Sequence, residues 1–486
     1  MSNDIGQIMQ YAENAFPSYQ KTTTGPRAKF LETIADNIEA LGDALISKAS
    51  EETNLPAPRL TGERGRTTMQ LRMFAQMLRE GSWVEAAIDT AIPDKTPPKP
   101  DIRKMLIPLG PVVVFGASNF PFAYSTAGGD TASALAAGCP VVVKAHPAHL
   151  QTSTMVAGAI EAAIQSCGMP AHTFQHVTDA SFEAGKALVQ HPATAAVGFT
   201  GSYTGGKALY DYAAARKNLI PVFSEMGSIN PVVFLPDTLE KNSESLAKQY
   251  AGSITLGMGQ FCTNPGLLIA IAGKGLDIFL QNLAKEFEPV VPAKMLHSGI
   301  HKAYTEKMQA ALNEKGVKLL AKAGAVAGEM EPTPSLATVE GNIFLNNPLL
   351  HEEVFGPYSL MVICKDEDEL KAVWKSLTGQ LTTTLMGTDQ DFADHSSLLD
   401  IASSIAGRIV FNGVPTGVEV CPSMVHGGPF PASTDGRFTA VGIGAVKRWV
   451  RPVSYQNCPP ALLPDALKDG NPLGIWRLVN NEWLKG

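Results

Sequence analysis

Two short runs of β-branched apolar residues constrain the fold of this chain more than any other feature. Residues 111–115 (PVVVF) and 140–144 (PVVVK) are unbroken rather than alternating, as is typical of strands buried on both faces. Residues 126–138 between them are mostly alanine and other small residues, which favours a tightly packed helix. A third unit follows, with a strand at 195–200 and a turn and helix at 201–215. This alternation predicts a parallel, doubly wound α/β sheet.

Polar side chains stand at or just beyond the ends of these predicted strands. Asn119 follows the first strand, Lys144 ends the second, and Ser202 follows the third. Because parallel α/β sheets bind ligands at the carboxyl ends of their strands, we expect these three residues to border one ligand crevice.

The rest of the chain falls into segments of different character. Helices are predicted at 27–47 and 67–79, before a proline-rich, extended segment at 91–101 that we expect to reach a neighbouring subunit. A second α/β block is predicted from 230 to 429. The tail from residue 448 again has an extended pattern, and we expect it to pair with the proline-rich segment.

Composition narrows the class of protein. A chain of 486 residues has room for about three domains. Its formal charge of 39 − 46 = −7 disfavours a nucleic-acid partner. The uncharged run at 105–129 contains several prolines and glycines and does not predict a membrane span. The first 16 residues lack the pattern of a secretory signal, and the six cysteines form no CxxC pair, so we expect a reduced, cytoplasmic protein.

Cys262 is the candidate nucleophile. It lies in residues 257–266 (GMGQFCTNPG), where glycine and proline on both sides predict a tight loop that exposes the thiol and turns its backbone N–H towards a bound oxygen. A cysteine attacks as the thiolate, so the loop must stabilise that anion or supply a base. The alternative is a small buried hydrophobic residue, which is the interpretation we favour for the other five cysteines.

Glu225 and Asn119 have patterns that suit two supporting roles. Glu225 lies between apolar residues and is followed by a glycine, in 223–231 (FSEMGSINP). Partial desolvation would make it a general base near neutrality. Asn119, in 116–122 (GASNFPF), offers an amide donor for an oxyanion hole. The alternative for Glu225 is helix capping or ion pairing, and the alternative for Asn119 is helix capping.

Residues 201–208 (GSYTGGKA) nearly match a P-loop. The spacing of glycine and lysine is right, but Ala208 stands where a Ser or Thr would hold Mg²⁺. What remains is a glycine-rich turn in which Gly201 and Ser202 open a helix and can cradle a phosphate, as a dinucleotide requires. His146 and His149 lie close together, but no further ligand stands at metal spacing, so we expect no bound metal.

Together these segments resemble the aldehyde dehydrogenase superfamily. The motifs occur in the family's order: NFP at 119–121, the strand-end Lys144, FTGS at 199–202, Glu225 with its glycine, the Cys262 loop, and EEVFGP at 352–357. The wider sequence of 115–149, 259–266 and 410–433 is similar to an NADP-preferring branch. That branch contains 2,5-dioxovalerate (α-ketoglutarate semialdehyde) dehydrogenases and a bacterial fatty aldehyde dehydrogenase.

The resemblance implies an α/β fold of the aldehyde dehydrogenase type. It places a Rossmann-type cofactor domain at 1–83 and 106–228, an α/β catalytic domain at 229–429, and an extended oligomerisation arm and tail at 84–105 and 447–486. It also implies a homodimer or a dimer of dimers.

The resemblance further implies a mechanism. Cys262 attacks the aldehyde, while Asn119 and the backbone N–H of Cys262 hold the oxyanion. Hydride transfer to a nicotinamide leaves a thioester, which water activated by Glu225 hydrolyses. CoA-acylating relatives lack this carboxylate, so its presence favours water as the acceptor.

The same resemblance assigns the residues that hold the cofactor. These are Lys144 for the adenosine ribose, Gly201 and Ser202 for the pyrophosphate, Glu353 for the nicotinamide ribose, Phe355 against the ring, and Ser118 through a backbone contact to phosphate. NAD-preferring relatives often carry a glutamate where this chain has Pro147. Without that carboxylate a 2′-phosphate meets no repulsion, so we expect NADP to be used at least as well as NAD.

The branch implies a substrate aldehyde that carries a carboxylate, foremost α-ketoglutarate semialdehyde, oxidised to 2-oxoglutarate. Arg59, Arg66 and Gln70 are the candidates for binding that carboxylate, the last two lying four apart on a predicted helix. The alternative is a solvated helix face with Glu63 nearby. An apolar tunnel would instead favour a medium- or long-chain fatty aldehyde.

Three other classes are weighed against this interpretation. A P-loop NTPase is disfavoured by Ala208. A cysteine hydrolase would need a histidine partner for Cys262, and the sequence shows no strong candidate. A non-catalytic structural protein of the same fold would be expected to have lost Cys262 or Glu225, and both are present.

Overall fold

The computed structural model describes residues 4–485. Residues 1–3 and 486, which the predicted domain bounds include, lie outside the described residues. The α-helices are α1 (Ile5–Tyr19), α2 (Thr24–Ala40), α3 (Gly42–Thr53), α4 (Ala57–Glu80), α5 (Gly129–Ala137), α6 (Leu150–Ser166), α7 (Phe182–Gln190), α8 (Tyr203–Ala214), α9 (Pro236–Thr255), α10 (Lys274–Phe287), α11 (Ser298–Asn313), α12 (Gly341–Leu345), α13 (Glu367–Lys375), α14 (Asp389–Asp394) and α15 (Leu398–Ile405).

The strands are distributed over the whole chain. They are β1 (Ala87–Asp89), β2 (Ile102–Pro108), β3 (Val112–Phe115), β4 (Val141–Lys144), β5 (Phe174–Val177), β6 (Ala196–Thr200), β7 (Val222–Glu225), β8 (Val232–Phe234), β9 (Leu267–Ile271), β10 (Lys318–Lys322), β11 (Ser335–Glu340), β12 (Tyr358–Cys364), β13 (Gln380–Met386), β14 (Ala406–Phe411), β15 (Val450–Gln456), β16 (Arg477–Val479) and β17 (Glu482–Leu484).

The first of the sheets is the predicted parallel sheet. Its strands lie in the order β5-β4-β3-β6-β7 and all pair in parallel. Val112 and Val114 pack into one hydrophobic cluster with α2, α4, α5 and α6, while Val113 packs into another with α1, α7 and α8. Both faces of β3 are therefore buried, which explains its unbroken apolar sequence.

A second sheet lies within the block predicted from 230 to 429. Its order is β10-β11-β12-β9-β8-β13-β14, and only β10 pairs antiparallel among its strands. The helices α9 and α10 cover one face and α13 and α15 the other. The predicted α/β fold class is confirmed.

The third sheet joins the tail to a segment near residue 100. Its order is β15-β2-β1-β16-β17, and β15 pairs with all seven residues of β2. The predicted pairing of the tail with residues 91–101 is therefore wrong, because the tail pairs with the strand that follows them. Prolines at 93, 97, 98 and 100 lack the N–H that a ladder needs.

The predicted helices differ from the observed ones at one break. The helix expected at 27–47 is two helices, because Gly42 has a φ of +57° and begins a new helix at once. The helix expected at 67–79 is the second half of α4. No helix between residues 4 and 485 is long and apolar enough to cross a membrane.

Candidate active site

A crevice of about 260 Å³ lies where the first two sheets meet. Predicted site residues from distant parts of the chain line it: Ser118, Asn119, Gly201, Ser202, Glu225, Cys262, Glu353 and Phe355. The ends of β3, β6 and β7 open into it, as expected for a parallel sheet. Side chains of α11, including Tyr304 and Lys307, form the opposite wall.

The Cys262 loop is held in a fixed conformation. After α9 the backbone turns through left-handed conformations at Gly257 and Met258. The side chain of Asn230, which is fully buried, donates hydrogen bonds of 2.9 Å to the carbonyl oxygens of Cys262 and Asn264. Cys262 itself is half-buried and lines the crevice. Sequence reasoning missed this contact between Asn230 and the loop.

Glu225 ends β7 and is only 4% exposed. Its carbonyl oxygen accepts a hydrogen bond from the N–H of Gly201 at 3.0 Å, and the next residue, Met226, donates to the carbonyl of Ala432 at 2.8 Å. These contacts fix the carboxylate at the bottom of the crevice. Glu225 ends a strand rather than capping a helix, whereas the alternative of ion pairing is met, since its Oε1 lies 2.9 Å from Nε2 of His426.

His426 lies between the two predicted catalytic groups. Its Nε2 is 2.9 Å from Oε1 of Glu225 and 3.5 Å from Sγ of Cys262. The ring is 1% exposed, and the backbone is held because its N–H donates to Oγ1 of Thr439 at 2.9 Å. The expectation that Cys262 has no histidine partner is therefore wrong.

The charge state of His426 follows from its neighbours. Burial alone lowers the pKa of His426, but the negative charges of Glu225 and Cys262 outweigh it and raise that pKa to about 10. The imidazole is therefore a cation near neutrality, and it faces both the carboxylate of Glu225 and the sulfur of Cys262. Nothing local marks this residue in the sequence except two glycines that follow it inside the 410–433 stretch.

Asn119 lies beside the Cys262 loop. Its Nδ2 donates to the carbonyl oxygen of Gln260 at 3.2 Å, two residues before the cysteine. The backbone carbonyl oxygen of Asn119 accepts a hydrogen bond from Nη2 of Arg59 at 2.7 Å. Because an amide nitrogen carries two hydrogens, one N–H remains for a substrate oxygen.

Glu353 approaches the backbone that follows Glu225. A Cβ at Gly227 would lie 2.4 Å from Oε2 of Glu353, so any larger residue would displace that carboxylate. Oε1 of Glu353 accepts from the N–H of Ser228 at 3.4 Å. Burial raises the pKa of Glu353 to about 7. The glycine of the predicted E-x-G motif is thus explained by close packing.

Lys144 lies beyond the crevice lining at the end of β4. It is 9% exposed; burial lowers its pKa, and the charge of Asp179 opposes that effect. Asp179 follows β5, the neighbouring strand, and sequence reasoning missed it. Ser202 caps α8, since its Oγ accepts from the N–H of Gly205 at 3.2 Å.

The three predicted substrate residues occupy different environments. Arg66 donates to the hydroxyl of Tyr124 at 3.3 Å, and the ring of Tyr124 is 6.0 Å from that of His426. Gln70 is 3% exposed, and its Nε2 has no partner among residues 4–485. Arg59 packs its guanidinium over two phenylalanine rings, Phe120 at 5.2 Å and Phe261 at 4.7 Å.

The alternative of a solvated helix face is wrong for this part of α4. Glu63 is 6% exposed and accepts hydrogen bonds from the N–H groups of Phe122 and Ala123 at 2.9 and 3.0 Å. Together with buried Gln70, it shows that this face packs against the loop after β3.

Arg408 on β14 is a further cation near the sulfur that sequence reasoning missed. It donates to the carbonyl oxygens of Pro415 and Gly417 and forms no ion pair within the described part of the chain. Burial lowers its pKa, and the charges of Cys262 and Tyr124 oppose that effect. Its Nε is buried without a partner among the described residues.

Comparison with known proteins gives a consistent result. Residues 1–439 match the aldehyde dehydrogenase family. The α-ketoglutaric semialdehyde dehydrogenase of Acinetobacter baylyi is 48% identical over 98% of this chain and 91% of that protein. α-Ketoglutaric semialdehyde dehydrogenase 2 of Azospirillum brasilense is 49% identical over the same shares of each.

Solved structures share the fold at lower sequence identity. The γ-glutamyl-γ-aminobutyraldehyde dehydrogenase of Burkholderia cenocepacia superposes with a TM-score of 0.79 at 21% identity, covering 94% of this chain and 89% of that one. The betaine aldehyde dehydrogenase of Staphylococcus aureus gives a TM-score of 0.79 at 19% identity, covering 94% and 88%.

Proposed function

Because this chain belongs to the aldehyde dehydrogenase family, we propose that it oxidises α-ketoglutarate semialdehyde to 2-oxoglutarate with a nicotinamide dinucleotide. It is an aldehyde dehydrogenase, and the proposal concerns its substrate, cofactor and residue roles. The observation that supports the chemistry is the convergence of Cys262, His426 and Glu225, whose reactive atoms lie within 4.8 Å of one another. A non-catalytic structural role does not require that convergence.

Cys262 is the proposed nucleophile, and His426 stabilises its thiolate. The imidazolium faces the sulfur at 3.5 Å, so the anion forms without full exposure to water. Attack on the aldehyde carbon forms a carbon–sulfur bond and an oxyanion. The side chain of Asn119 and the backbone N–H of Cys262 donate to that oxygen, because charge develops there.

The crevice suits a nicotinamide dinucleotide. Gly201 and Ser202, at the N-terminus of α8, offer N–H groups to a pyrophosphate, and Lys144 and Glu353 offer polar groups to the two riboses. Phe355 lies in the lining where a ring would stack. When bound, the nicotinamide accepts the hydride that the reaction removes from carbon.

Glu225 is the proposed base for the second half-reaction. Its buried carboxylate faces the sulfur across His426, so a water beside the thioester carbon can transfer its proton to Glu225 as it attacks. The products are the carboxylic acid and the regenerated Cys262 thiolate. The decisive experiment measures NADPH or NADH formation from α-ketoglutarate semialdehyde. Cys262→Ser should abolish it with the circular dichroism spectrum unchanged.

NADP is proposed to serve at least as well as NAD. Pro147 leaves no carboxylate at the position where NAD-preferring relatives often have one. Asp179, which lies near Lys144, instead favours NAD, because its negative charge would repel a 2′-phosphate. Kinetics with both cofactors test this, and a preference for NAD above about tenfold, or about 1.4 kcal/mol, would contradict it. Asp179→Asn should shift the ratio of kcat/KM values towards NADP.

The side chains of Arg66, Arg408 and Gln70 are proposed to bind the carboxylate of the substrate. Each has a buried donor without a partner among the described residues. Arg59 also has one, at Nη1, but its guanidinium packs against two phenylalanine rings as well. A carboxylate satisfies such donors, whereas the tail of a fatty aldehyde leaves them unpaired. The fatty aldehyde alternative is therefore disfavoured.

A matched pair of substrates separates the two alternatives. Arg408→Met should lower kcat/KM for α-ketoglutarate semialdehyde by about a hundredfold, the size expected for one lost charge-assisted contact. The same variant should leave kcat/KM for pentanal, which has the same chain length, within about threefold. Equal losses for both substrates would assign Arg408 to structure, and higher kcat/KM for dodecanal in the wild type would favour the fatty aldehyde.

A further inference from the structure

Three side chains of the active site form a set of metal ligands. Sγ of Cys262, Nε2 of His426 and a carboxylate oxygen of Glu225 lie within 4.8 Å of one another. Thiolate, imidazole and carboxylate are the ligands from which zinc sites with three protein ligands and one open position are built. We propose that Cys262, His426 and Glu225 bind Zn²⁺, which blocks the nucleophile and inhibits the enzyme reversibly.

The distances between the ligand atoms suit a tetrahedral ion. Bond lengths of about 2.3 Å to sulfur and about 2.0–2.1 Å to nitrogen and oxygen imply separations of about 3.5 Å for S···N and about 3.3 Å for N···O. The observed separations are 3.5 Å between Sγ of Cys262 and Nε2 of His426, and 2.9 Å between that Nε2 and Oε1 of Glu225. The third separation, between Sγ of Cys262 and a carboxylate oxygen of Glu225, is within 4.8 Å, compared with about 3.5 Å around a tetrahedral ion, so the carboxylate closes on the ion when it binds.

The three ligands are already ordered without an ion. Asn230 fixes the loop of Cys262, Thr439 fixes the backbone of His426, and the end of β7 fixes Glu225 through its bridge to Ser433. Ordered ligands lose little conformational freedom on binding, which favours affinity. Cys262 and Glu225 both line the crevice, so an ion can enter from it and keep a water as its fourth ligand.

Binding exchanges a proton for the metal. The proton on Nε2 of His426 leaves to the buffer, and the nitrogen lone pair then coordinates Zn²⁺, with no change of oxidation state. The charged and titratable groups that face this ring are Glu225, Cys262 and the hydroxyl-bearing Tyr124. Because Zn²⁺ takes the place of that proton, zinc affinity should increase with pH.

Binding is measured directly, apart from catalysis. Metal-free protein is titrated with Co²⁺, which reports thiolate coordination through a sulfur-to-cobalt charge-transfer band, and Zn²⁺ is then added as the competitor. We expect one ion per chain, a dissociation constant for Zn²⁺ on the order of 1 µM or lower, and recovery of activity with a chelator. Cys167→Ser and His172→Gln, which lie away from the crevice, should bind as the wild type does.

Substitution of each ligand tests the assignment. Cys262→Ser should remove the charge-transfer band, and His426→Ala should weaken Zn²⁺ binding at least a hundredfold in calorimetry, with unchanged circular dichroism. Glu225→Gln, which keeps shape and an oxygen, should weaken it less. The proposal is overturned if the wild type shows no such band, or if His426→Ala binds Zn²⁺ with unchanged affinity.

Discussion

At the scale of single residues, His426 is the side chain that faces both of the proposed catalytic groups. Glu225 is 4% exposed, and its carboxylate lies within 4.8 Å of the sulfur of Cys262. Two anions at that separation in a buried site oppose each other's ionisation. A buried imidazolium in contact with both groups offsets that repulsion.

Replacement of His426 by glutamine should therefore slow the reaction of Cys262 with iodoacetamide at pH 7 by at least tenfold, because the thiolate loses its adjacent cation. The pKa of His426 is raised from 6.5 to about 10. The cation is thus present below that pH and is lost as the pH rises through it. The difference between wild type and variant should accordingly shrink above pH 10.

Mass spectrometry of the alkylated peptide gives the rate at each pH. His172→Gln is the matched control, since this histidine stacks on Tyr11 far from the crevice and its loss should leave the rate unchanged. Equal alkylation rates of wild type and His426→Gln at pH 7 would show that the loop alone stabilises the thiolate.

The sequence could predict those site residues that stand in a recognisable local motif. Cys262 and Glu225 stand in glycine-containing motifs that mark them, and the structure brings them together. His426, Asp179 and Arg408 carry no such mark, because their surroundings are created by tertiary contacts with residues far away in the chain. The missed residues are therefore those whose chemical environment is set by residues that are close in space but distant in the sequence.

At the scale of elements, the end of β7 and the segment 352–357 form one unit of the crevice. Gly227 follows β7 directly, and its missing side chain lets the carboxylate of Glu353 approach the backbone of Ser228. A second close approach lies nearby, where a Cβ at Gly259 would be 2.2 Å from the carbonyl oxygen of Gly356. The first contact connects the end of β7, and the second connects the Cys262 loop, to the proposed ribose-binding segment.

Gly227→Ala should displace Glu353 and weaken cofactor binding. The added Cβ would lie 2.4 Å from Oε2 of Glu353, so the carboxylate must move. We expect KM for NADP to rise about tenfold, the effect of a lost charge-assisted hydrogen bond. The rate of Cys262 alkylation should stay within about twofold, because that residue lies on a different segment.

Gly252→Ala is the control, because a Cβ there meets no atom within 4 Å. It should leave KM for NADP unchanged. If Gly227→Ala instead lowers alkylation and cofactor affinity together, the substitution distorts the whole crevice and the separate roles of these segments are refuted.

Element prediction succeeded where packing and local sequence agree. The valine runs at 111–115 and 140–144 became β3 and β4 because a strand covered on both faces needs only apolar residues. The prediction of one helix at 27–47 was wrong because the apolar periodicity continues across Gly42, whereas the helical conformation of the backbone is interrupted there. The pairing of the tail was misjudged because sequence shows extended segments without showing their register.

At the scale of the whole molecule, the third sheet lies apart from the chemistry. Its edge strand β17 presents Trp483 and Leu484, which are 62% and 42% exposed, and Trp476 nearby is 44% exposed. An unpaired strand edge with exposed tryptophans is a surface that a second chain can cover. The predicted assembly into a homodimer or a dimer of dimers stays a prediction that this surface supports.

Trp483→Glu should therefore dissociate the assembly into monomers of 51.6 kDa, because a buried, unpaired carboxylate in an interface is costly. Light scattering coupled to size-exclusion chromatography measures the mass directly, and we expect the wild type to elute as two or four copies. Leu219→Glu is the matched control, since Leu219 is 75% exposed but lies on the connection between α8 and β7, outside the third sheet. A wild type that elutes as a monomer, or equal dissociation by both variants, would contradict an assembly through β17.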